Sequence, residues 1–447
     1  MSPLLSPDWR QGHGPIAHRS GTVARVQALL SRLTADGRLA GAAEGQALLA
    51  AADRLACAAM SVVVHMTYAR RVDLSGAALA ADDFKPTPEG HTGGSLNMVP
   101  AFVGYLLANA LTGSTRGWLM GQGHCVAAIE AVNALTGDLS DTQRGRYGRG
   151  EAGLSQLAAD FYSYAIDAHG RPAVPLGSHA GPNTAGAVSE GGYLGFAGLE
   201  YVHMPLPGES LVAFLSDGAF EEQRGSDWAP RWWRAEDCGF AVPVMILNGR
   251  RIEQRTQIVQ EGGAAWLAED LRHNGFAPTV VDGRDPAAIA CAIVEAEDAL
   301  RAFAADPQRR YPARLPYVIA ETEKGFGFAG AGTNAAHNLP LAGNPHTDAT
   351  ARAQFNAGTR ALFVPPAELD AALAALDTHA REELGLNPDD LGSPVRAALS
   401  SFAAFAAGAA LPLLPFLFAV GAPVTIAAVL TGTALFAIGA ALSLLSG

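Results

Sequence analysis

FLSDGAFEEQRGSDWAPRWWRAEDCGFAVPVMILNGRRI, residues 214–252, holds two short apolar runs, each closed by a polar residue and a glycine. LVAFL (211–215) runs into Ser216-Asp217-Gly218, and AVPVMIL (241–247) runs into Asn248-Gly249. Runs of this length bounded by turn residues read as buried parallel strands. In open α/β sheets ligands sit in the crevice outside the carboxyl ends of the strands. Asp217 and Asn248 are therefore expected to reach one crevice from two strand ends. A carboxylate and an amide oxygen, completed by waters and phosphate oxygens, suit an octahedral Mg²⁺ that holds a diphosphate.

The pattern repeats along the chain. WLM (118–120), TVV (279–281) and YVIA (317–320) are further short apolar runs between segments of helical periodicity. Such alternation predicts an α/β fold, a doubly wound parallel sheet with helices on both faces. Residues 21–66 read as helical with a break at Gly41-Ala42, and a last amphipathic helix is expected over 367–384. The expected division is a helical segment at 1–54, a cofactor domain at 55–378, a linker at 379–398 and an apolar hairpin at 399–447.

Five further segments narrow the reading: GHTGGSLNMV (90–99), MGQGHCVAA (120–128), SHAGPNTAGAVSEGGYLGF (178–196), LNGRRI (247–252) and EKGFGFAGAGTNAAHNLPL (323–341). Asp217-Gly218 followed some thirty residues later by Asn248 resembles the thiamin-diphosphate signature. The segments, in this order, resemble the amino-terminal domain of the phosphoketolases over roughly residues 55–345. The resemblance implies the thiamin-diphosphate-binding fold, with thiamin diphosphate and Mg²⁺ as cofactors. Asp217 and Asn248 would be metal ligands, with the carbonyl of Arg250 as the third. Gly191, Gly192 and Gly218 would complete the cofactor site, Gly192 through its carbonyl. His91, His124, His179 and His337 would line the channel above the cofactor, and Lys324 would pair with substrate phosphate. Histidine suits proton shuttling because its ordinary pKa lies near neutrality. Ser216, Ala219 and Thr92 depart from the family pattern, which carries Gly, Glu and Trp there.

The implied reaction is C–C cleavage of xylulose 5-phosphate or fructose 6-phosphate, with inorganic phosphate, to acetyl phosphate. Transketolase-like or epimerase chemistry on the same sugar phosphate is the alternative. In this family an activating glutamate comes from a separate pyrimidine-binding domain. The chain is thus expected to act as the cofactor half, with a homo-oligomer or a second chain supplying the rest. A catalytically silent membrane-tethered protein, or a transporter fragment with a foreign domain, are the non-enzymatic alternatives.

Residues 397–447 contain no charged side chain. Two stretches, 399–421 and 424–445, flank Gly421-Ala422-Pro423, and each is long enough for a membrane span of about 20 residues. Together with 379–398 they resemble the carboxy-terminal part of the vacuolar iron transporter family, without that family's acidic metal ligands. A membrane-anchored protein with its large domain on the cytoplasmic side is expected. The net charge of −12 gives nucleic-acid binding no electrostatic support. Four scattered cysteines without a CxxC pair fit a reducing compartment, and no export signal is read at the amino terminus. The 447-residue chain uses arginine almost throughout, and Lys85 and Lys324 are its lysines. Retention of lysine there points to a use for a compact ammonium.

Overall fold

The computed structural model describes residues 9–170, 172–175, 208–222, 233–384, 413, 415–417 and 421–433. The chain divides into two compact units, Met1–Glu383 and Leu384–Gly447.

In the first unit, five strands form one parallel sheet in the order β1-β2-β3-β7-β6. They are β1 (Gly117–Met120), β2 (Ser210–Ser216), β3 (Phe240–Leu247), β6 (Phe276–Asp282) and β7 (Leu315–Glu321). A two-stranded antiparallel ribbon, β4 (Arg250–Arg251) with β5 (Gln254–Arg255), follows β3. The apolar runs are continuous because both faces of the sheet are covered. Val212 and Phe214 of β2, Val244 and Ile246 of β3, and Val318 and Ala320 of β7 enter one core cluster. Their alternating neighbours Ala213, Leu215, Met245, Leu247, Tyr317 and Ile319 enter a second cluster. Full burial of a large apolar side chain contributes about 1.5–3 kcal/mol, so register on both faces is strongly fixed.

The first cluster packs the sheet against α3 (Thr92–Thr112) and α10 (Pro286–Ala305) and also takes in α2 (Ala42–Tyr68) and α4 (Val126–Thr136), and the second packs it against α9 (Ala264–His273). Among the described residues of this unit the remaining α-helices are α1 (Ser20–Ala35), α5 (Asp141–Arg144), α6 (Glu151–Asp160), α7 (Asp217–Glu222), α8 (Gln257–Glu261), α11 (Ala349–Ala361) and α12 (Pro366–Leu384). The expected helical break at Gly41-Ala42 separates α1 from α2, and the expected last amphipathic helix is α12. Both α2 and α3 are long and apolar enough to cross a membrane, yet 94% and 89% of their most apolar windows are buried inside the unit. They are core helices.

Two buried charge clusters tie the helices together. Arg116, between α3 and β1, meets Glu297 of α10 through two contacts, Nε–Oε1 at 2.6 Å and Nη2–Oε2 at 2.8 Å, with both side chains 1% exposed. His18 is the second, lying between Asp53 of α2 at 2.9 Å and Asp285 at 3.1 Å. Asp285 also caps α10 by accepting from the N–H groups of Ala287 and Ala288, and Pro286 at the first helical position completes a strong start signal.

Burial works against a charge on His18, but its close contacts with the Asp285 and Asp53 carboxylates outweigh it and push the imidazole up to about 10. Burial likewise pushes Asp53 up to about 6, against the His18 contact. Each group holds its proton more tightly folded than unfolded, so stability falls as pH rises through either window. The His18 contribution is complete below its ordinary value of 6.5 and fades toward about 10. The denaturation midpoint of His18→Asn should therefore be lower than wild type at neutral pH. It should also lack the wild-type decline between those two values, and a parallel decline in the variant would contradict the assignment.

The second unit contains an apolar helix, Pro423–Thr433. Val424 and Val429 are exposed on it, as are Leu413, Phe416 and Leu417 before it.

Candidate active site

The register of β2 and β3 pairs Ser216 with Ile246, so Asp217 and Asn248 emerge at the same end of neighbouring strands. Asp217 opens α7 with its side chain buried. Its Oδ1 accepts from Gly218 N at 3.0 Å, and its Oδ2 accepts from Gly249 N at 2.7 Å and from Thr256 Oγ1 at 3.5 Å. Burial raises the carboxyl to about 7, although the Gly249 N–H and Lys324 pull the other way. Gly249 has φ +77, and a Cβ there would lie 2.8 Å from Val259 Cγ2, so backbone conformation and space both require glycine. Asn248 Oδ1 accepts from Arg250 N at 3.1 Å, and the Arg250 carbonyl accepts from Lys324 Nζ at 3.2 Å.

Three histidines converge beside this turn. His91 precedes α3, His124 lies in the 3₁₀ turn Gly123–Cys125, and His337 ends the 3₁₀ turn Asn334–His337. Ring centroids are 5.2 Å apart for His91 and His124, 5.7 Å for His91 and His337, and 6.5 Å for His124 and His337. Gly93 permits this approach: a Cβ there would fall 2.1 Å from the Ala336 carbonyl oxygen. Thr92 bonds the Thr67 hydroxyl at 2.9 Å and donates to the Asn338 carbonyl at 2.6 Å, so one of the three residues that depart from the family pattern ties three segments together.

Lys324 sits on a loop held by Asn97, which donates to the Glu323 carbonyl and accepts from Gly325 N. Its Nζ is 2.7 Å from His337 Nδ1. Burial lowers the Lys324 ammonium's pKa, with Asp217 opposing the shift. His337 is pushed down to about 4, first by burial and then by the nearby Lys324 charge. At neutral pH His337 is a neutral imidazole.

These groups face one cavity of about 390 Å³. Of the sequence-selected residues, His91, His124, His337, Lys324, Asp217, Gly218, Asn248 and Arg250 all line it. His179, Gly191 and Gly192 lie outside the described residues. Sequence reasoning missed Gln122, Cys125 and Arg251, which also line the cavity. Cys125 and Arg251 adjoin selected positions and Gln122 lies two residues before His124, and only the strand-end turns bring them in. Lys85 does not line the cavity. Its ammonium donates to the carbonyls of Met66 at 2.7 Å and Phe161 at 2.8 Å, and burial pushes it down to about 8.

The residues present fit a Mg²⁺–diphosphate group. Each candidate oxygen, on Asp217, Asn248 and Arg250, already accepts a hydrogen bond that orients it, and each carbonyl-type oxygen has a second lone pair. One carboxylate, one amide and one carbonyl leave most of an octahedron to phosphate and water, the usual manner of Mg²⁺ binding. Among the described residues no group of three His, Cys, Asp or Glu side chains is arranged to hold a metal alone. Arg250, Arg251 and Lys324 around a single carboxylate bias the cavity toward anions.

A family model described as the VIT family matches residues 341–447, a match that begins earlier than the 379–447 tail resemblance. "Probable phosphoketolase" of Pseudomonas putida is 26% identical over 373 residues, covering 76% of this chain and 45% of the relative. "Probable phosphoketolase" of Mycolicibacterium paratuberculosis is 27% identical over 340 residues, 69% of this chain and 40% of the relative. The chain thus spans less than half the length of these relatives. A transketolase structure from Pichia stipitis aligns with a TM-score of 0.43 at 18% identity, over 75% of this chain and 44% of that one. The model described as the XFP N-terminal domain matches residues 44–358, well over half of the sequence, and the chain belongs to this phosphoketolase amino-terminal domain family.

Proposed function

We propose that this chain is the cofactor-binding half of a phosphoketolase-like lyase that takes xylulose 5-phosphate or fructose 6-phosphate and inorganic phosphate. The observation that carries the reading is the single cavity that brings Asp217, Asn248 and Arg250 together with Lys324, His91, His124 and His337. Thiamin diphosphate, when bound, supplies a nucleophilic carbon and an electron sink for C–C cleavage. Asp217, Asn248 and the Arg250 carbonyl would hold Mg²⁺, with Gly191 and Gly192 completing the cofactor site. Lys324 and the Arg250 guanidinium would attract phosphate as fixed positive charge. His337, neutral beside Lys324, suits hydrogen-bond donation to a developing oxyanion. His91, His124 and His179 would exchange protons with substrate hydroxyls.

The activating glutamate would come from a pyrimidine-binding domain on a second chain or domain. The test is acetyl-phosphate formation with thiamin diphosphate and Mg²⁺, alone and with a chain that carries such a domain. Activity should appear only with both, and hydrogen–deuterium exchange at the cofactor C2 should stay near the free-cofactor rate with this chain alone. Rapid exchange with this chain alone would overturn the half-enzyme reading.

We also infer that 399–447 is a membrane hairpin following a linker at 379–398, with the domain at 55–378 on the cytoplasmic side. Exposed apolar side chains on Pro423–Thr433 support this, because soluble monomers rarely expose large apolar patches. The full chain should resist alkaline carbonate washing of membranes, whereas truncation after Ala380 should give a soluble, cofactor-binding domain. Release of the full chain by carbonate would contradict insertion.

A further inference from the structure

Among the described residues, Tyr162 and Tyr164 are the non-glycine residues with positive φ, 62 and 55. The left-handed region is disfavoured for bulky L-residues and persists where surrounding contacts over-determine it. Two such residues flanking Ser163 therefore call for a physical account.

The turn is bolted from behind. Phe161 is 2% exposed, and its carbonyl accepts from the buried Lys85 ammonium, which at the same time holds the Met66 carbonyl at the end of α2. Ser163 N donates to the Asp160 carbonyl at 2.9 Å. The Asp160 carboxylate is itself held by Arg146, Tyr147 and Gln156. The two tyrosines consequently project to the opposite side, toward the loop that ends in His91. The Tyr164 hydroxyl donates to Glu89 Oε1 at 2.6 Å. The Tyr162 hydroxyl is hydrogen-bonded to the His91 backbone, and its ring centroid lies 6.3 Å from that of the His91 imidazole. On its other side the loop is pressed against α2: a Cβ on Gly90 would meet Thr67 Oγ1 at 2.7 Å.

We propose that Tyr162 and Tyr164 are positioning residues that clamp the Glu89–His91 loop and thereby fix the His91 imidazole beside His124 and His337. Tyr162 carries the larger share, because it is half-buried and bonded to the backbone, whereas Tyr164 and Glu89 are exposed and their bond competes with water. The consequence for turnover rests on the reading of the site as a phosphoketolase half-site. The placement of His91 does not.

The test uses the full chain without cofactor and measures carbethoxylation of individual histidines by diethyl pyrocarbonate, read by mass spectrometry. Tyr162→Phe keeps the ring and removes the hydroxyl, and Tyr164→Phe does the same at the rim. His91 should react about fivefold faster in Tyr162→Phe, the scale of one lost hydrogen bond. The increase should be smaller in Tyr164→Phe and at least as large in the double variant, with His124 and His337 unchanged throughout. An unchanged His91 rate in the double variant overturns the proposal. So does a joint rise at all three histidines, which would mean that the tyrosines support the whole domain and not this loop. Failure of the wild-type chain to bind thiamin diphosphate would count against the functional reading and leave the His91 result standing.

Discussion

Asp217→Ala should weaken thiamin-diphosphate binding in the presence of Mg²⁺ by roughly tenfold or more, at least about 1.4 kcal/mol. The side chain supplies the one carboxylate among the candidate metal ligands, and its two oxygens are aimed by Gly218 N and Gly249 N. Its loss removes the anionic ligand and leaves Arg250, Arg251 and Lys324 facing the cavity without a counter-charge. The cofactor-free variant should still fold, because two opposing terms change together: the Gly249 N–H loses its acceptor, and a fully buried carboxyl is relieved of desolvation. Calorimetric titration in Mg²⁺, alongside circular dichroism of the free protein, separates these effects. Wild-type affinity in the variant would remove Asp217 from the site.

Glu297→Ala should destabilise the first unit by about 3–5 kcal/mol, because it strands a buried guanidinium. Arg116 Nη1 would keep Asn109, Thr112 and Ser114 as acceptors, but none of these carries a negative charge. Replacing both partners with apolar residues, as in Arg116→Met with Glu297→Leu, should recover most of the loss, since neither charge then needs solvating. Urea midpoints of wild type, single and double variants decide the matter. A Glu297→Ala midpoint close to wild type would mean that water reaches Arg116.

The strands were legible because a sheet covered on both faces writes itself as unbroken apolar runs, LVAFL for β2 and YVIA for β7 among them. The meeting of Asp217 and Asn248 followed from the same runs, since strand ends in a parallel sheet share one edge. The histidine trio was not legible from spacing: His91, His124 and His337 come from distant segments, and only the family resemblance named them together. Tyr162 and Tyr164 gave no sequence signal, because tyrosine favours extended backbone and tertiary contacts from Lys85 and Asp160 override that preference. Hydropathy alone misleads in one further respect. By length and composition α2 and α3 resemble membrane spans, and only their packing identifies them as core.

The scarcity of lysine has a practical consequence. Lys85 is 8% exposed and Lys324 is 4% exposed, so the folded chain presents hardly any side-chain amine to solvent. Reductive methylation with isotopically labelled formaldehyde would add at most two lysine resonances to that of the chain terminus. One of the two would report from inside the cavity and the other from the Phe161 turn. A spectrum of so few lines would follow ligand entry at Lys324 and deformation at Lys85 separately, in a protein too large for routine full assignment.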